Sequence, residues 1–373
     1  MNSANKILIL GGITDSIINF RYDLIKKLIE LEYEVYVIAK VTDIDHVKKI
    51  KKLGIKFIDA DITNNKLNII SDFKYFFLLR RSIKNIKPNK VLAYTMKPVI
   101  YSGLVLNFFK NIEYYPLLTG LGFVYNSQNK FIIVLKFFIS FLLKIALKAA
   151  NKVIVQNKEN GQYLVSKKII KELSYTVVNG SGVNSDYFSF SPMPNMPLSF
   201  LMVSRIRTDK GIIEYIKAAK IIKSRYPHVK FILVGDIDKG LNENIFITIK
   251  KLDNNKVINY LGYRKDIKNI IIKSHIFVLP SYHEGMPKSV LEAMSIGRAI
   301  LTTNIAGCNQ LVINGSNGFL VPPKNHILLA EKMEWLINNN NNLNNMGLMS
   351  RKIIKEKFEQ KIINKKMVDI ING

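Results

Sequence analysis

Short apolar runs alternate with amphipathic stretches along the first half of the chain. The runs have the length of strands, whereas the stretches between them carry apolar side chains at the spacing of one helix face. Strands that alternate with helices pair in parallel through right-handed crossovers, so the pattern predicts one doubly wound α/β domain. A glycine turn is predicted at Gly11-Gly12, directly after the first strand. The predicted strands lie at residues 7–10, 34–39, 55–59, 90–94, 114–118 and 152–156, and a long helix is predicted at residues 131–150.

The same alternation restarts in the second half, after a change of texture. Residues 178–197 are rich in glycine, serine, asparagine and proline, which is typical of a linker or a domain boundary. Beyond them, strands are predicted at residues 198–204, 231–235, 276–279 and 299–302, with a helix at residues 288–295. A ligand crevice is expected between the two halves. The predicted division is a first domain at residues 1–185, a linker at 186–197, a second doubly wound domain at 198–350 and a final basic helix at 351–373 that could cross back to the first domain.

Length and composition agree with two folded domains. A chain of 373 residues is too long for one ordinary hydrophobic core, and 48% hydrophobic with 22% charged residues is the balance of globular domains. Cys308 is the only cysteine, so the sequence excludes an internal disulfide and a cysteine-based metal site. The formal net charge of +27 predicts an acidic partner, either nucleic acid or an anionic membrane surface, and charge alone does not separate the two.

One long apolar stretch, residues 131–147, bears on the membrane. Lys136, Ser140 and Lys144 interrupt it at helical spacing, so it lacks the roughly 20 uninterrupted apolar residues of a spanning helix. The apolar run at residues 7–10 is too short for the core of a signal peptide. The long stretch is then either a domain helix with one buried face or a helix that lies on a membrane surface. In the second case the side chains that would enter the headgroup region are Phe131, Phe137, Phe138 and Phe141.

Two glutamates and a helix start mark the predicted site of the second half. Glu284 follows the strand at residues 276–279, and Glu292 lies two helical turns further on. Ligands of open parallel sheets bind at the carboxyl ends of the strands. Carboxylates accept hydrogen bonds from hydroxyl groups, and free amides at a helix start bind anions. This combination suits a polyhydroxylated ligand that carries phosphate.

Two cations follow the first predicted strand of the second half. Arg205 offers a planar fork for phosphate oxygens, and Lys210 offers a point charge. Aimed at a diphosphate, they would neutralise the charge that develops on a departing nucleotide. On this motif alone they are as easily two surface cations of a basic protein, and Glu284 with Glu292 favours the first interpretation.

These residues stand in the pattern of a known enzyme family. The spacing R-x4-K at Arg205 and Lys210, with E-x7-E at Glu284 and Glu292, resembles the nucleotide-sugar domain of glycosyltransferase family 4. Members have the GT-B fold, in which two Rossmann-like domains face each other across a cleft. The resemblance covers essentially the whole chain. Its other landmarks are FRYDLIKKL at Phe20, YTMKP at Tyr94, TGLG at Thr119, NGSGV at Asn179, LVGD at Leu233, YLGYRKDI at Tyr260 and GSNGFLVPP at Gly315.

The resemblance implies a retaining transfer of a hexose or N-acetylhexosamine from a UDP-sugar. Glu292 would bind the ribose hydroxyls, and the catalytic residues would be Glu284 at the donor sugar with Arg205 and Lys210 at the diphosphate. Members need no metal, so no metal or other cofactor is expected. Their favoured mechanism is a front-face attack assisted by the leaving phosphate, so the resemblance implies no dedicated protein base. Further donor contacts are expected at Gly11, Gly12, Gly235, Tyr263, Arg264, Gly285, Met286, Pro287, Ser289 and Val290.

The acceptor implied by the resemblance is a polyprenyl-diphosphate-linked saccharide. The enzyme would act in surface polysaccharide or O-antigen synthesis, as a peripheral protein at the cytoplasmic face of the inner membrane. The chain departs from the family here: Thr95 and Lys97 stand where some members have a histidine, and Asn309-Gln310 stands where many have a glutamate. Acceptor contacts are expected at Thr95, Lys97, Thr119 and Gly120.

Other functions compete on the sequence alone. Asp236 and Asp238 follow a buried strand, as the metal ligands of a metal-dependent glycosyltransferase do, and His283 could contact substrate or be an ordinary loop residue. A basic nucleic-acid-binding protein would explain the charge, but the chain lacks an aromatic RNA-binding strand, zinc-finger spacing and an arginine-rich tail. A nicotinamide dehydrogenase would need G-x-G-x-x-G after the first strand, and Gly11-Gly12 does not supply it.

Overall fold

The protein divides into two compact units. A computed structural model describes residues 5–62, 68–120, 130–238 and 240–373. The first unit comprises Met1–Ser181 and Ile363–Gly373, and the second comprises Gly182–Ile362.

The first unit is built on a parallel sheet. Its strands are β1 (Lys6–Ile13), β2 (Glu34–Lys40), β3 (Lys56–Asp59), β4 (Lys90–Tyr94), β5 (Glu113–Leu118), β6 (Val153–Val155) and β7 (Tyr175–Val177). Within the described ranges they pair in the order β3-β2-β1-β4-β5-β6-β7. The helices are α1 (Thr14–Phe20), α2 (Tyr22–Glu30), α3 (Ile44–Lys51), α4 (Ile69–Ile86), α5 (Met96–Leu106), α6 (Lys130–Ala146) and α7 (Lys158–Ser166).

Each face of this sheet has its own hydrophobic core, because successive side chains of a strand point to opposite faces. In β1, Leu8 and Leu10 pack with α4, α5 and α6 on one face. Ile7 and Ile9 pack with α1, α2 and α3 on the other. Full burial on both faces explains why β1 is a continuous apolar run.

The second unit repeats the plan. Its strands are β8 (Ser199–Val203), β9 (Lys230–Val234), β10 (Asn259–Tyr260), β11 (Ile276–Leu279), β12 (Ala299–Thr303) and β13 (Gly318–Val321). In the part of this unit that is described, the order is β10-β9-β8-β11-β12-β13. The helices are α8 (Ile212–Arg225), α9 (Glu243–Asn254), α10 (Ile267–Ile272), α11 (Lys288–Ile296), α12 (His326–Asn338) and α13 (Leu343–Ile353). A π-helical turn at Ile354–Phe358 follows, and then α14 (Gln360–Asn372), which belongs to the first unit from Ile363 onward.

Two doubly wound parallel sheets confirm the α/β class and the two Rossmann-like domains that the sequence predicted. The strands predicted at residues 90–94 and 276–279 have the bounds of β4 and β11. Three strands were not predicted, namely β7, β10 and β13, and all three lie at a sheet edge. An edge strand has one neighbour and needs no continuous apolar run, so the pattern gives little signal there.

The predicted turn at Gly11-Gly12 is wrong, because β1 continues through both buried glycines to Ile13. The pairing with β2 shifts register between Leu10 and Ile13. A Cβ on Gly11 would lie 2.5 Å from the hydroxyl oxygen of Tyr94. The glycine therefore makes room for a side chain of β4, a demand that its own surroundings in the sequence do not reveal.

The segment predicted as a linker, residues 186–197, is bound to the second unit. Arg298 is fully buried and donates a hydrogen bond of 3.0 Å to the Ser191 carbonyl oxygen. Arg351 donates one of 2.9 Å to the Phe188 carbonyl oxygen. The second unit accordingly starts at Gly182, whereas the predicted first domain ends at residue 185 and the predicted second domain begins at residue 198.

The single helix predicted at residues 351–373 is wrong. Glu359 has an extended backbone, with φ −61° and ψ 132°, and separates the π-helical turn from α14. In α14, Met367 and Ile371 lie one turn apart and are buried in the first unit's core with Ile7. The chain does return to the first unit, from Ile363 onward.

Helix α6 has an unusual surface. Leu143 is fully buried, whereas Val134, Phe137, Phe138 and Phe141 have between 57% and 74% of their surface exposed. The Phe131 side chain lies outside the described part of the chain. Wherever helices are described, each is too short or too polar to cross a membrane.

Candidate active site

The loops that carry the predicted site residues leave neighbouring strands at one edge of the second sheet. β8 ends at Val203 and β11 ends at Leu279, and the two strands pair in parallel. Arg205 and Lys210 follow β8, and Glu284 follows β11. Because the strands are parallel, both loops start from the same edge, which is where open α/β sheets bind their ligands.

Lys210 and Glu284 meet in an ion pair. Lys210 Nζ lies 2.6 Å from Glu284 Oε1, and only 18% and 12% of the two side chains are exposed. The Ser281 hydroxyl donates a second hydrogen bond, of 2.8 Å, to the same carboxylate oxygen. A charge-assisted bond in a shielded place holds the carboxylate in one orientation. Ser281 was not predicted, because a serine in a loop carries no signal of its partner.

Two glycines let the Glu284 loop pack closely against its neighbours. Gly211 has φ +74°, and a Cβ on it would lie 2.0 Å from the Pro280 carbonyl oxygen. Gly307 has φ +84°, and a Cβ on it would lie 2.4 Å from the Gly285 carbonyl oxygen. Only glycine fits either position. The loop is therefore clamped between the loop after β8 and the loop after β12, and sequence reasoning missed this role of Gly307.

Tyr282 ties the same loop to α8. Its backbone N–H donates to the Asp209 carbonyl oxygen at 2.8 Å. Its hydroxyl lies 2.8 Å from each oxygen of the buried Glu214 carboxylate and donates to it. Burial, with this carboxylate beside it, raises the pKa of Tyr282, so the hydroxyl stays a donor. Glu214 and Tyr282 are therefore positioning residues, which the sequence could not reveal because 68 residues separate them.

The start of α11 lies close to Glu284 in the sequence, since the N-cap residue Pro287 comes three residues later. Pro287 precedes the helix and supplies no side-chain cap. Amides of a first helical turn have no partners within the helix, and the helix dipole favours negative charge there. Gly285 and Met286 lie on the loop before it, Ser289 is partly exposed, and Val290 is buried. The Val290 side chain packs in the core, so only its backbone amide is available for a polar contact at the amino end of α11.

Glu292 lies further along α11 and is partly exposed. No hydrogen bond from a described side chain reaches its carboxylate. Burial of the Glu292 carboxyl raises its pKa to about 7, although Lys288 acts to lower it. A half-buried carboxylate without a protein donor is suited to accept hydrogen bonds from ligand hydroxyls.

Arg205 takes no part in the ion pair. It is exposed, and within the described residues no carboxylate contacts its guanidinium. The neighbouring Arg207 pairs with Asp209 at 2.8 Å instead. The structure therefore brings Lys210, but not Arg205, to Glu284, and Arg205 stays at the same sheet edge as a cation that is available to a ligand.

Three residues predicted to contact the donor follow the next strands along this edge. Gly235 follows β9 with φ +150°, and a Cβ on it would lie 1.7 Å from the Ser204 carbonyl oxygen. Tyr263 is 66% exposed. The Arg264 guanidinium donates two hydrogen bonds of 2.8 Å to the Asp266 carboxylate. Since that side chain is occupied, the backbone is what Arg264 offers to a ligand.

The residues expected to contact an acceptor belong to the first unit. Lys97 forms an ion pair of 2.7 Å with Asp72, with 16% and 8% of the two side chains exposed. It ties α5 to α4, and its contact with an acceptor stays a prediction. Thr95 follows β4 with φ +69°. Thr119 and Gly120 follow β5 and are partly exposed.

The acidic pair at Asp236 and Asp238 serves its own loop. Asp236 Oδ1 accepts from the Ile237 N–H at 2.9 Å, and Asp238 Oδ1 accepts from the Gly240 N–H at 3.1 Å. Among the side chains that the structure describes, no three of His, Cys, Asp and Glu are grouped as metal ligands. Burial lowers the pKa of His283, which Asp209 opposes, so the imidazole favours its neutral form.

One sheet edge thus presents a paired carboxylate, an unpaired carboxylate, two cations and an uncapped helix start. Sugar hydroxyls can donate to the carboxylates, while phosphate oxygens can accept from the cations and from the helix amides. A nucleotide-linked sugar satisfies all of these groups at once, because it carries a sugar, a ribose and a diphosphate.

Comparison with known proteins agrees with this geometry. Residues 184–353 match the family described as glycosyl transferases group 1. Residues 6–157 match the family described as glycosyl transferase 4-like. The first match covers the edge that carries Lys210, Glu284 and Glu292.

Three similar proteins have described roles or solved structures. The chain is 30% identical over 337 residues, 86% of each protein, to N,N'-diacetylbacillosaminyl-diphospho-undecaprenol alpha-1,3-N-acetylgalactosaminyltransferase of Campylobacter jejuni. It is 28% identical, over 68% of each protein, to UDP-Gal:alpha-D-GlcNAc-diphosphoundecaprenol alpha-1,3-galactosyltransferase of Escherichia coli. It superposes on Alr3699/HepE of Anabaena, solved in complex with UDP, with a TM-score of 0.77 at 19% identity over 98% of this chain and 99% of that one.

The third likeness shows the fold. The first, with its identity and coverage, shows the family, and the two matching family descriptions divide the chain between them. The chain therefore belongs to the group 1, family 4-like glycosyltransferases, as the spacings of Arg205, Lys210, Glu284 and Glu292 indicated.

Proposed function

We propose that this glycosyltransferase moves a hexose or N-acetylhexosamine from a UDP-sugar to a polyprenyl-diphosphate-linked saccharide, with retention of the anomeric configuration. The observation that carries the donor half is the Lys210–Glu284 pair beside the uncapped start of α11. The acceptor half is supported by the Campylobacter and Escherichia relatives, whose names specify diphospho-undecaprenol-linked saccharides.

Each group at the edge has a part in the proposed donor complex. The diphosphate lies against Lys210, Arg205 and the first amides of α11, which together offset its charge and the charge that develops as the bond to the sugar breaks. Glu284 accepts hydrogen bonds from the donor sugar, and Glu292 accepts them from the ribose hydroxyls. The acceptor hydroxyl attacks from the face that the diphosphate leaves, and a phosphate oxygen takes its proton.

The reaction needs no divalent metal in this proposal, because protein cations and helix amides do the work of charge neutralisation. The sequence alternative of a metal site at Asp236 and Asp238 is not favoured, since both carboxylates cap their own loop. The alternative of a nucleic-acid-binding protein is not favoured either, because the family matches run through both units.

The experiment that tests the function is UDP release and product analysis with a panel of UDP-sugars. UDP-N-acetylgalactosamine, UDP-N-acetylglucosamine, UDP-galactose and UDP-glucose are each offered with an undecaprenyl-diphosphate-linked N-acetylhexosamine, with and without EDTA. We expect one donor to be transferred, EDTA to have no effect, and NMR of the product to show the α-anomer that the donor carries. Transfer of none of the four sugars, or a β-linked product, would contradict the proposal.

We also propose that the first unit docks on an anionic membrane, at the cytoplasmic face where a lipid-linked acceptor is elongated. Helices α4 and α6 both flank α5 and cover the same face of the first sheet. Their exposed apolar side chains form what we call the aromatic face, which consists of Ile69, Ile70, Phe73, Phe77, Phe137, Phe138 and Phe141.

Basic residues accompany the aromatic face. Lys74 and Arg81 lie on α4 and Lys144 lies on α6, and all three are exposed. Large aromatic side chains that enter the headgroup region, with lysines that meet anionic lipid, are the two elements of peripheral membrane binding. The net charge of +27 acts in the same direction.

A further inference from the structure

Arg21 is a buried cation to which the donor chemistry assigns no role. It lies between α1 and α2 in the first unit, and only 3% of its surface is exposed. One guanidinium nitrogen donates to the Phe20 carbonyl oxygen at 3.3 Å, a long bond, and its Nε is buried without a partner in the described residues. No carboxylate of the described chain pairs with it. Its charge is therefore removed from water and not compensated.

Tyr94 positions this guanidinium at the carboxyl end of β4. The carbon at the centre of the guanidinium lies 5.1 Å from the centroid of the Tyr94 ring. The Ser16 hydroxyl donates to the Ile13 carbonyl oxygen at 2.7 Å, so the Tyr94 hydroxyl donates to Ser16, 3.0 Å away. With its ring held in this way, Tyr94 fixes the place of the Arg21 charge.

The residue that follows Tyr94 carries a second unsatisfied group. The Thr95 hydroxyl oxygen is buried without a hydrogen-bond partner in the described residues. Its backbone has φ +69°, which is strained for a β-branched residue. Strain of this kind persists where the surrounding structure requires it, and it is concentrated at functional sites.

A buried cation without a counter-charge and a buried hydroxyl without a hydrogen-bond partner in the described residues both destabilise the protein when no ligand is bound. Both deficits are removed by a ligand that is anionic and rich in acceptor oxygens. Burial also lowers the pKa of Arg21 to about 10, a sign of the same lack of compensation. Phosphate oxygens match the guanidinium fork and accept readily from a hydroxyl.

We propose that Arg21 and the Thr95 hydroxyl form a binding site for a diphosphate group in the first unit. This assignment rests on the proposed function: the group is the diphosphate of the lipid-linked acceptor. The diphosphate of the donor already has a proposed binding site at Lys210 and the start of α11 in the second unit. Tyr94 is a positioning residue of this site, and Gly11 gives it room.

The direct test measures thermal unfolding of the full chain with inorganic pyrophosphate, in a Lys210→Met background that removes the donor-site cation. Pyrophosphate is expected to raise the Tm of this protein and not that of the Arg21→Met, Lys210→Met double variant. Without pyrophosphate, Arg21→Met is expected to unfold at a higher temperature, since it removes an uncompensated buried charge. Equal stabilisation by pyrophosphate with and without Arg21 would overturn the site.

The kinetic test separates the two sources of a diphosphate. Against the undecaprenyl-diphosphate-linked saccharide, Arg21→Met is expected to raise the acceptor KM by roughly 10- to 100-fold, the loss of a charge-assisted contact, with the donor KM unchanged. The preference for this acceptor over the octyl glycoside of the same saccharide should fall by the same factor. A raised donor KM with the acceptor preference intact would overturn the assignment to the acceptor.

Two further variants and a control complete the design. Arg21→Lys keeps the charge without the fork, and Thr95→Val removes only the hydroxyl, so both are expected to raise the acceptor KM by less than Arg21→Met does. They carry the test if Arg21→Met does not fold. Arg80→Met removes an exposed arginine of the same unit and should change neither Tm response nor KM. If the wild type transfers no sugar but pyrophosphate stabilises it through Arg21, the anion site stands and the proposed function alone has failed.

Discussion

Lys210 Nζ lies 2.6 Å from Glu284 Oε1, although 74 residues separate the two in the chain. The pair joins the loop after β8 to the loop after β11, and so holds the cation proposed for phosphate and the carboxylate proposed for sugar in a fixed relation. Each residue therefore has two roles. It holds the other residue in place, and in the proposed function it also contacts the ligand.

We expect Lys210→Met and Glu284→Gln each to lower kcat/KM for sugar transfer by about 100- to 1000-fold, the usual cost of a group aimed at developing charge. Because the two residues are in contact, the double variant should lose much less than the product of the single losses. Steady-state UDP release measures this cycle.

The controls for this cycle remove an exposed charge of the same unit, through Lys217→Met and Glu331→Gln. Both should keep wild-type activity. If the loss of activity in the double variant equals the product of the two single losses, Lys210 and Glu284 do not act as a unit.

Gly211→Ala should lower activity because it displaces the Glu284 loop, and not because of backbone strain at residue 211. A Cβ there meets the Pro280 carbonyl oxygen, so the Glu284 loop must move. Gly315 is the matched control, since it has φ +77° against +74° for Gly211, but a Cβ on it would have no neighbouring atom within 4 Å. Strain at positive φ costs about 1 to 3 kcal/mol at both positions.

Urea unfolding and UDP release on the two alanine variants separate strain from displacement. Gly315→Ala should be destabilised with its activity retained, whereas Gly211→Ala should be destabilised more and should lose activity. Equal activity in both would mean that the contact with Pro280 does not set the position of Glu284.

Glu292 should make stability depend on pH. Burial raises the pKa of its carboxyl from the ordinary 4.5 to about 7 in the folded protein. The unfolded chain then loses this proton at lower pH than the folded one, so the contribution is present below pH 4.5 and is lost as pH rises through 7. Glu292→Gln removes the dependence.

Urea unfolding of wild type and Glu292→Gln at pH 4.5 and pH 8 checks this sign. From pH 4.5 to pH 8, the free energy of unfolding of the variant should rise relative to that of wild type, by no more than about 3 kcal/mol. Glu331→Gln, an exposed control, should show no such change. A variant that becomes less stable relative to wild type at pH 8 would contradict the prediction.

The aromatic face should bind anionic lipid. Phe137→Ser with Phe141→Ser should reduce cosedimentation with vesicles that contain phosphatidylglycerol by about tenfold or more, because two large apolar side chains no longer leave water. Ile44→Ser is the matched control, since Ile44 is 69% exposed on α3, which packs on the opposite face of the first sheet. Equal binding by all three proteins would place the membrane contact elsewhere.

Much of the fold and part of the site follow from local patterns. A buried parallel strand is a continuous apolar run, so the bounds of β4 and β11 could be predicted. Parallel strands end at one edge, so Lys210 and Glu284 could be expected in one place. The roles of Glu214 and Ser281 could not, because a buried glutamate and a loop serine show their partners only after packing.

The sequence by itself determined the doubly wound α/β units, the family and the sheet edge that carries Lys210 and Glu284, because periodicity and motif spacing are properties of neighbouring residues. Only the tertiary structure decided that β1 runs through Gly11, that Lys97 is engaged by Asp72, and that Arg21 is buried without a counter-charge. Each of these depends on what a distant segment places beside the residue. Packing between distant segments, and not local preference, sets those neighbours.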